Sequence, residues 1–103
     1  MLDVCVRPRA ELDIESISIF LAYERKRPQA AVDAVAKIYE AIELVREFPD
    51  MGGHVHRDEL NHEYRTIPAN PYTIYYRYDE KILTVYRVIH QRQDIDTYTL
   101  VDF

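Results

Sequence analysis

One cysteine, two glycines and no tryptophan occur in a chain of 103 residues. A lone thiol, Cys5, cannot close a disulfide within the chain. That excludes a small secreted scaffold held together by bridges and agrees with a reducing compartment. Flanked by Val4 and Val6, Cys5 reads as a packed strand residue, because a reactive thiol needs a neighbouring base and partial exposure. Long apolar runs are missing too. Nothing approaches the roughly 20 residues that cross a bilayer, and the opening MLDVCVRPR lacks the charged-then-apolar layout of a signal peptide. The expectation is a cytoplasmic chain without membrane contact. Positive charge is short as well, with 13 Lys and Arg against 18 Asp and Glu, a net charge of −5. Non-specific nucleic-acid binding draws on clustered cations that neutralise phosphates, so direct contact with DNA is not expected.

What is present suits one globular domain spanning residues 1–103, large enough for its own core. Leu2 to Arg7 alternates as a short opening strand, which Pro8 ends. The period then changes. Ala10, Ile14, Ile17 and Leu21 line one helical face, with Glu11, Asp13 and Glu15 early and Arg25, Lys26 and Arg27 late, as the helix dipole favours. Pro28 suits the first turn of a second helix, in which Ala31, Val35, Ile38, Ile42 and Val45 form a continuous apolar stripe. The two helices, with almost no linker, form an antiparallel hairpin. Phe48-Pro49 ends the second.

Asp50 to Asn61 holds both glycines and reads as a loop. His54, His56 and His62, with Asp58 and Glu59 nearby, could in principle hold zinc. No cysteine or HExxH pattern supports that, and a solvated polar loop is the reading adopted: no metal and no cofactor.

The stretch from His62 to Asp94 carries most of the chain's nine tyrosines and reads as a three-stranded meander. Its strands are Glu63 to Ile67, Tyr72 to Tyr78 and Ile82 to His90, with turns at 68–71 and at Asp79-Glu80. The later two are apolar on both faces. Ile74 and Tyr76 oppose Tyr75, and Leu83, Val85 and Ile89 oppose Ile82, Tyr86 and Val88. One hairpin covers one face, so the other is expected to be an exposed partner surface, unless Ile95 to Phe103, with Tyr98, Leu100, Val101 and Phe103, folds back over it. The fold class is α+β, ordered β-α-α-β-β-β, with the hairpin on one face of a largely antiparallel sheet.

Several motifs fall in order: PRAELDIESI from Pro8 to Ile17, Pro28-Gln29-Ala30-Ala31, and Phe48-Pro49-x-x-Gly52. Tyr64-Arg65, Pro71-Tyr72-x-Ile74-x-Tyr76 and Val88-Ile89-His90-Gln91-Arg92-Gln93-Asp94 follow. Together, across about nine-tenths of the chain, they resemble the RelE/ParE superfamily of bacterial type II toxins, and the ParE branch above all. The resemblance implies a cognate antitoxin, ParD-like or RelB-like, whose C-terminal segment wraps the toxin. DNA is then reached only indirectly, through the antitoxin. It implies DNA gyrase as the target, poisoned by protein–protein contact to arrest growth. The RelE branch instead cleaves mRNA in the ribosome, with several Lys and Arg residues on the meander and a C-terminal Tyr. Arg65, Arg92 and Tyr98 match parts of that set. The cations expected near Ile67 and Tyr72-Thr73 are absent, and RNA scission depends on assembled positive charge. A binding toxin is therefore expected over a nuclease. Its candidate partner-binding residues are Tyr64, Arg65, Tyr75, Arg87, His90 and Arg92. The alternative for each is structural, an arginine paired with a carboxylate such as Asp94 or His90 capping a strand.

Overall fold

The computed structural model describes residues 1–57 and 62–92, with only the backbone described at 56, 57 and 62. Strand β1 (Asp3–Val6) leads into helix α1 (Pro8–Ile19) and helix α2 (Pro28–Glu47), and strands β2 (Gly53–Arg57), β3 (His62–Ala69), β4 (Tyr72–Tyr78) and β5 (Ile82–His90) follow. The sheet order is β1-β5-β4-β3-β2. Three pairings are antiparallel, and β1 closes the sheet parallel to β5, with Asp3 opposite Ile82 and Val6 opposite Val85.

Both helices start on a proline, whose fixed φ suits the first turn and whose missing N–H has no partner to lose there. The two expected stripes do face the sheet. Ala10 and Ile14 of α1 and Ile38, Ile42 and Val45 of α2 pack with Ile67, Tyr72, Ile74, Tyr76, Leu83, Val85 and Val88 in one core. The end of α1 differs from the expectation. Helical geometry passes at Phe20 into a π-helical turn, Phe20–Glu24, closed by the Arg25 amide on the Phe20 carbonyl at 3.0 Å. Lys26 follows at φ 54, the left-handed conformation in which chains commonly leave helices. Arg25 and Lys26 thus form the exit from the helix, not its last α-helical turn.

Four further expectations give way. Residues 53–57 are a strand, not a loop: β2 lies on β3 with Gly53 opposite Thr66 and Arg57 opposite His62. Its sequence, GHVHR, carries one apolar side chain, so an edge strand made by its ladder bonds leaves little trace in hydropathy. β3 also runs past Pro68 to Ala69. The ladder with β2 stops at Thr66, and a proline beyond that point has no donor missing from the β2 side. Cys5 is exposed, since Val4 and Val6 take the core side of β1.

The fourth concerns β5. The partners of Tyr75 and Tyr76 on β5 are Arg87 and Val85, so Tyr86 is an extra residue, a bulge. A single inserted residue exchanges the faces beyond it. Val88 therefore joins Leu83 and Val85 in the core, and Ile89 goes to the opposite face with Tyr86, the reverse of simple alternation.

That opposite face is not the open patch that patterning predicts. Tyr64, Tyr75 and Ile89 are 2%, 4% and 2% exposed, with Val55 and Tyr86 packed beside them. Tyr64 and Tyr86 meet edge to face, ring centroids 5.2 Å apart. Residues 95–103, proposed from sequence as a cover, lie outside the described residues.

Candidate functional site

α1 carries a charged residue on its core-facing side. Asp13 is 8% exposed and receives Arg87 of β5 through two bonds, Nε to Oδ2 at 2.7 Å and Nη2 to Oδ1 at 3.0 Å. Oδ2 also accepts the Val88 amide at 2.9 Å, and Arg9 Nη1 stands 3.7 Å from Oδ1. The local cause lies in the sheet. β1 covers β5 only as far as Val85, and the Arg7 amide donates to that last carbonyl. Past that point no strand among the described residues lies beside the edge of β5, and Asp13 accepts the Val88 N–H there. Asp13, read from sequence as early negative charge that suits the helix dipole, is also an interior acceptor.

Arg87 is accordingly no partner-facing cation. It is 1% exposed, its guanidinium held on the Asp13 carboxylate of α1. Tyr64 and Tyr75, also expected at a partner surface, are buried in the second cluster.

Arg65 belongs to a different place. It sits on β3 opposite Tyr76 and His54, and its Nη1 donates to the carbonyls of Asp50 and Gly52 at 3.1 and 3.2 Å. Its guanidinium stands 5.7 Å above the Tyr78 ring. Tyr76 donates to the Pro49 carbonyl at 2.8 Å, and Tyr78 to the Asp50 carboxylate. Together these groups fasten the exit of α2 to the sheet. Burial raises the Tyr76 phenol above its usual 10.0, partly countered by hydrogen bonding at the Gly52 backbone and by the Arg65 charge. Gly52 is required by space: a Cβ there would meet Tyr76 Oη, and the Thr66 carbonyl at 2.7 Å.

His90 and Arg92 lie at the far end of the sheet. His90 pairs with Tyr72, which pairs with Ala69, four positions along β3 from Arg65. At about 3.4 Å per residue, Arg65 and His90 are offset by roughly 14 Å along the strands. His90 meets the Tyr72 ring edge to face at 5.5 Å, and its Nδ1 accepts the Arg92 amide at 3.1 Å, the strand-end cap that the structural alternative anticipated. Burial also raises the Tyr72 phenol above 10.0. Arg92 is exposed. Tyr98 and Asp94 lie outside the described residues. Of the RelE-like candidates, the two that are described do not converge: Arg65 lies in the interior of β3, and Arg92 follows the end of β5.

Of the candidate metal ligands, His54 places Nδ1 3.4 Å from the Glu63 carboxylate. The side chains of His56 and His62, and residues 58 and 59, lie outside the described residues. Among the described residues no helix is long and apolar enough to cross a membrane.

Two surface features went unnoticed in the sequence. One is a cavity of about 520 Å3 under α1, bounded by Arg9, Asp13, Phe20 and Arg25 on the helix side and by Tyr72, Arg87 and His90 on the sheet. The other is apolar and outward. Leu12, Ile19 and Tyr23 are 51%, 49% and 76% exposed along one side of the first helix, and Val32 and Tyr39 are 62% and 44% exposed on α2. Their spacings, seven and four and then seven, are helical, so a second apolar stripe could have been read beside the inward one.

A helical hairpin laid on a five-stranded mixed sheet is also the architecture of a chain in the "Chromosomal ParDE TA system from P. aeruginosa". The two align with a TM-score of 0.68 at 18% identity, over 87% of this chain and 96% of that one. At that identity the likeness concerns the fold. No functionally curated protein gives a significant match. The family is decided by the sequence: residues 4–95 match the family described as "ParE toxin of type II toxin-antitoxin system, parDE". The chain belongs to the ParE toxin family, the toxin half of a type II toxin–antitoxin pair, and that membership implies an antitoxin partner.

Proposed function

We propose that this toxin arrests growth by binding DNA gyrase and stabilising its cleaved complex with DNA, and that a cognate ParD-like or RelB-like antitoxin neutralises it. The observation that carries the choice is the commitment of the strand cations. Arg87 is buried against Asp13, and Arg65 is bound to the backbone carbonyls at the exit of α2. Stabilising a phosphorane needs cations gathered around one reacting phosphate, and these two serve the frame. A protein that acts by contact needs surface instead. The outward residues Leu12, Ile19, Tyr23, Val32 and Tyr39 provide apolar area of the kind that partner segments cover.

The deciding experiment sets purified toxin against gyrase in a supercoiling assay and, in parallel, against a cell-free translation system. Supercoiling is expected to stop, with cleaved DNA accumulating, and to recover when the antitoxin is added first. Translation is expected to continue. Normal supercoiling beside blocked translation would reverse the assignment.

A further inference from the structure

We propose that the tip of the helical hairpin, Arg25-Lys26-Arg27, binds the phosphate backbone of duplex DNA. All three residues are exposed, and among the described residues no carboxylate is paired with any of them. Other arginines are matched, Arg9 and Arg87 to Asp13, Arg46 to Glu43 and Arg65 to Asp50. From Arg25 to Val32 the sequence holds no acidic residue. The chain as a whole carries −5, which disfavours general binding to nucleic acid. The tip is a local exception, a run of unopposed cations whose potential draws a polyanion.

The turn that carries these cations is held in shape. The Arg25 amide donates to the Phe20 carbonyl at 3.0 Å, and the Arg27 amide to the Leu21 carbonyl at 2.9 Å. Between them Lys26 sits at φ 54, which glycine adopts at less cost. A long cationic side chain kept in that conformation points to a use for the side chain. The Arg25 guanidinium lies 5.2 Å from the centre of the Phe20 ring, which leaves its charge without a carboxylate. α2 begins next, at Pro28, with no side-chain cap and no acidic residue in its first turn. The positive end of its dipole therefore adds to the three charges.

Charge density favours DNA over an acidic protein. Duplex DNA carries one negative charge per about 1.7 Å of its axis, whereas neighbouring carboxylates on one face of a protein helix stand roughly 5–6 Å apart. Three cations on consecutive residues match the denser array, and guanidiniums bind phosphate through paired N–H donors. Tyr23, 76% exposed, continues the outward row of Leu12 and Ile19 up to the tip. A protein partner on that row and DNA on the tip are therefore neighbours. The choice of DNA among phosphate chains rests on the action at gyrase proposed above, in which the toxin is bound beside cleaved DNA. A few phosphate contacts alone bind weakly, so the tip adds to a complex that other surfaces assemble.

The test follows the anisotropy of a short fluorescent duplex DNA as full-length toxin is added at low salt, with poly-glutamate as a separate arm. Saturable binding that weakens as salt rises is expected. Lys26→Gln with Arg27→Gln is expected to weaken it at least about tenfold and to lower the slope of log affinity against log salt by about two, near one for each lost contact. Lys37→Gln with Lys81→Gln removes the same charge at exposed positions elsewhere and is expected to change affinity less than about threefold. Thermal melts confirm that each variant is folded. With gyrase and plasmid present, the tip variant is expected to need about tenfold more toxin to accumulate cleaved DNA, while its affinity for gyrase without DNA stays within about twofold of the wild type. Absence of binding to the duplex at low salt overturns the proposal. So does an equal loss in the two double variants, tighter binding to poly-glutamate than to DNA, or equal potency of the tip variant and the wild type on gyrase. Gyrase that the wild type leaves unaffected sinks the gyrase reading alone, and the duplex arm then decides the tip.

Discussion

Asp13 and Arg87 stand 74 positions apart in the chain and meet in a buried two-bond ion pair that also holds the Val88 amide. The pair joins the first helix to the last strand where β1 has run out. Removing one partner leaves the other charged and buried, which typically costs about 3–5 kcal/mol. Asp13→Ala and Arg87→Ala are each expected to lose that much in urea unfolding. The double variant Asp13→Leu with Arg87→Met is expected to lose markedly less than the sum of the single changes. Strict additivity would show that the two residues do not depend on each other.

Gly52→Ala tests the closeness of the α2 exit to the sheet. The added methyl meets Tyr76 Oη and the Thr66 carbonyl, and overpacking of this kind costs about 1–3 kcal/mol. A lower melting temperature is expected, with partial recovery in Gly52→Ala, Tyr76→Phe, where one of the crowding atoms is gone. An unchanged melting temperature in the single variant would mean that the exit loop moves freely.

Lys26 occupies the left-handed region at φ 54, a conformation that costs a side-chain-bearing residue roughly 1–2 kcal/mol and glycine very little. Part of that gain is offset by the greater freedom of glycine in the unfolded chain. Lys26→Gly is expected to stabilise the fold by up to about 1 kcal/mol. Lys26→Val is expected to destabilise it, and the order of the two melting temperatures is the measurement.

Tyr72 and Tyr76 both have phenol pKa values raised above 10.0, chiefly by burial. The folded chain therefore holds protons that the unfolded chain releases first. This contribution is complete below pH 10 and disappears as pH rises through the higher folded values. Stability is expected to fall more steeply above pH 10 in the wild type than in Tyr72→Phe. Parallel melting curves over that range would remove the effect.

Arg65→Ala is expected to lower stability by about 1 kcal/mol, through its lost bonds to the carbonyls of Asp50 and Gly52. Neither Arg65→Ala nor Arg92→Ala is expected to change transcript ends after induction. Primer extension that shows cuts in the wild type, absent from either variant, would restore the nuclease reading.

The two helices, their inward stripes and strands β4 and β5 were legible because periodicity is local. Ala31, Ile38, Ile42 and Val45 announce one face wherever the helix is placed, and that face is the buried one. Family likeness was legible as well, because short motifs at joints survive in order. What stayed hidden depends on neighbours distant in sequence. GHVHR is a strand because β3 lies beside it. Tyr86 as a bulge exchanges Val88 and Ile89, and no composition rule marks which residue of ILTVYRVIH will be the extra one.

The sequence by itself determined the two helices, the strands other than β2, the core-facing helical stripes and membership of the ParE family. Only the tertiary structure decided the fate of the charges and aromatic rings. Arg87 and Arg65 look alike as cations on strands, yet one is sealed against α1 and the other fastens the exit of α2. Tyr64 and Tyr75 look available to a partner and are buried. The physical reason is that a side chain's period says which face it takes. Whether that face meets water, a carboxylate or another ring is set by residues tens of positions away, and only folding brings them there.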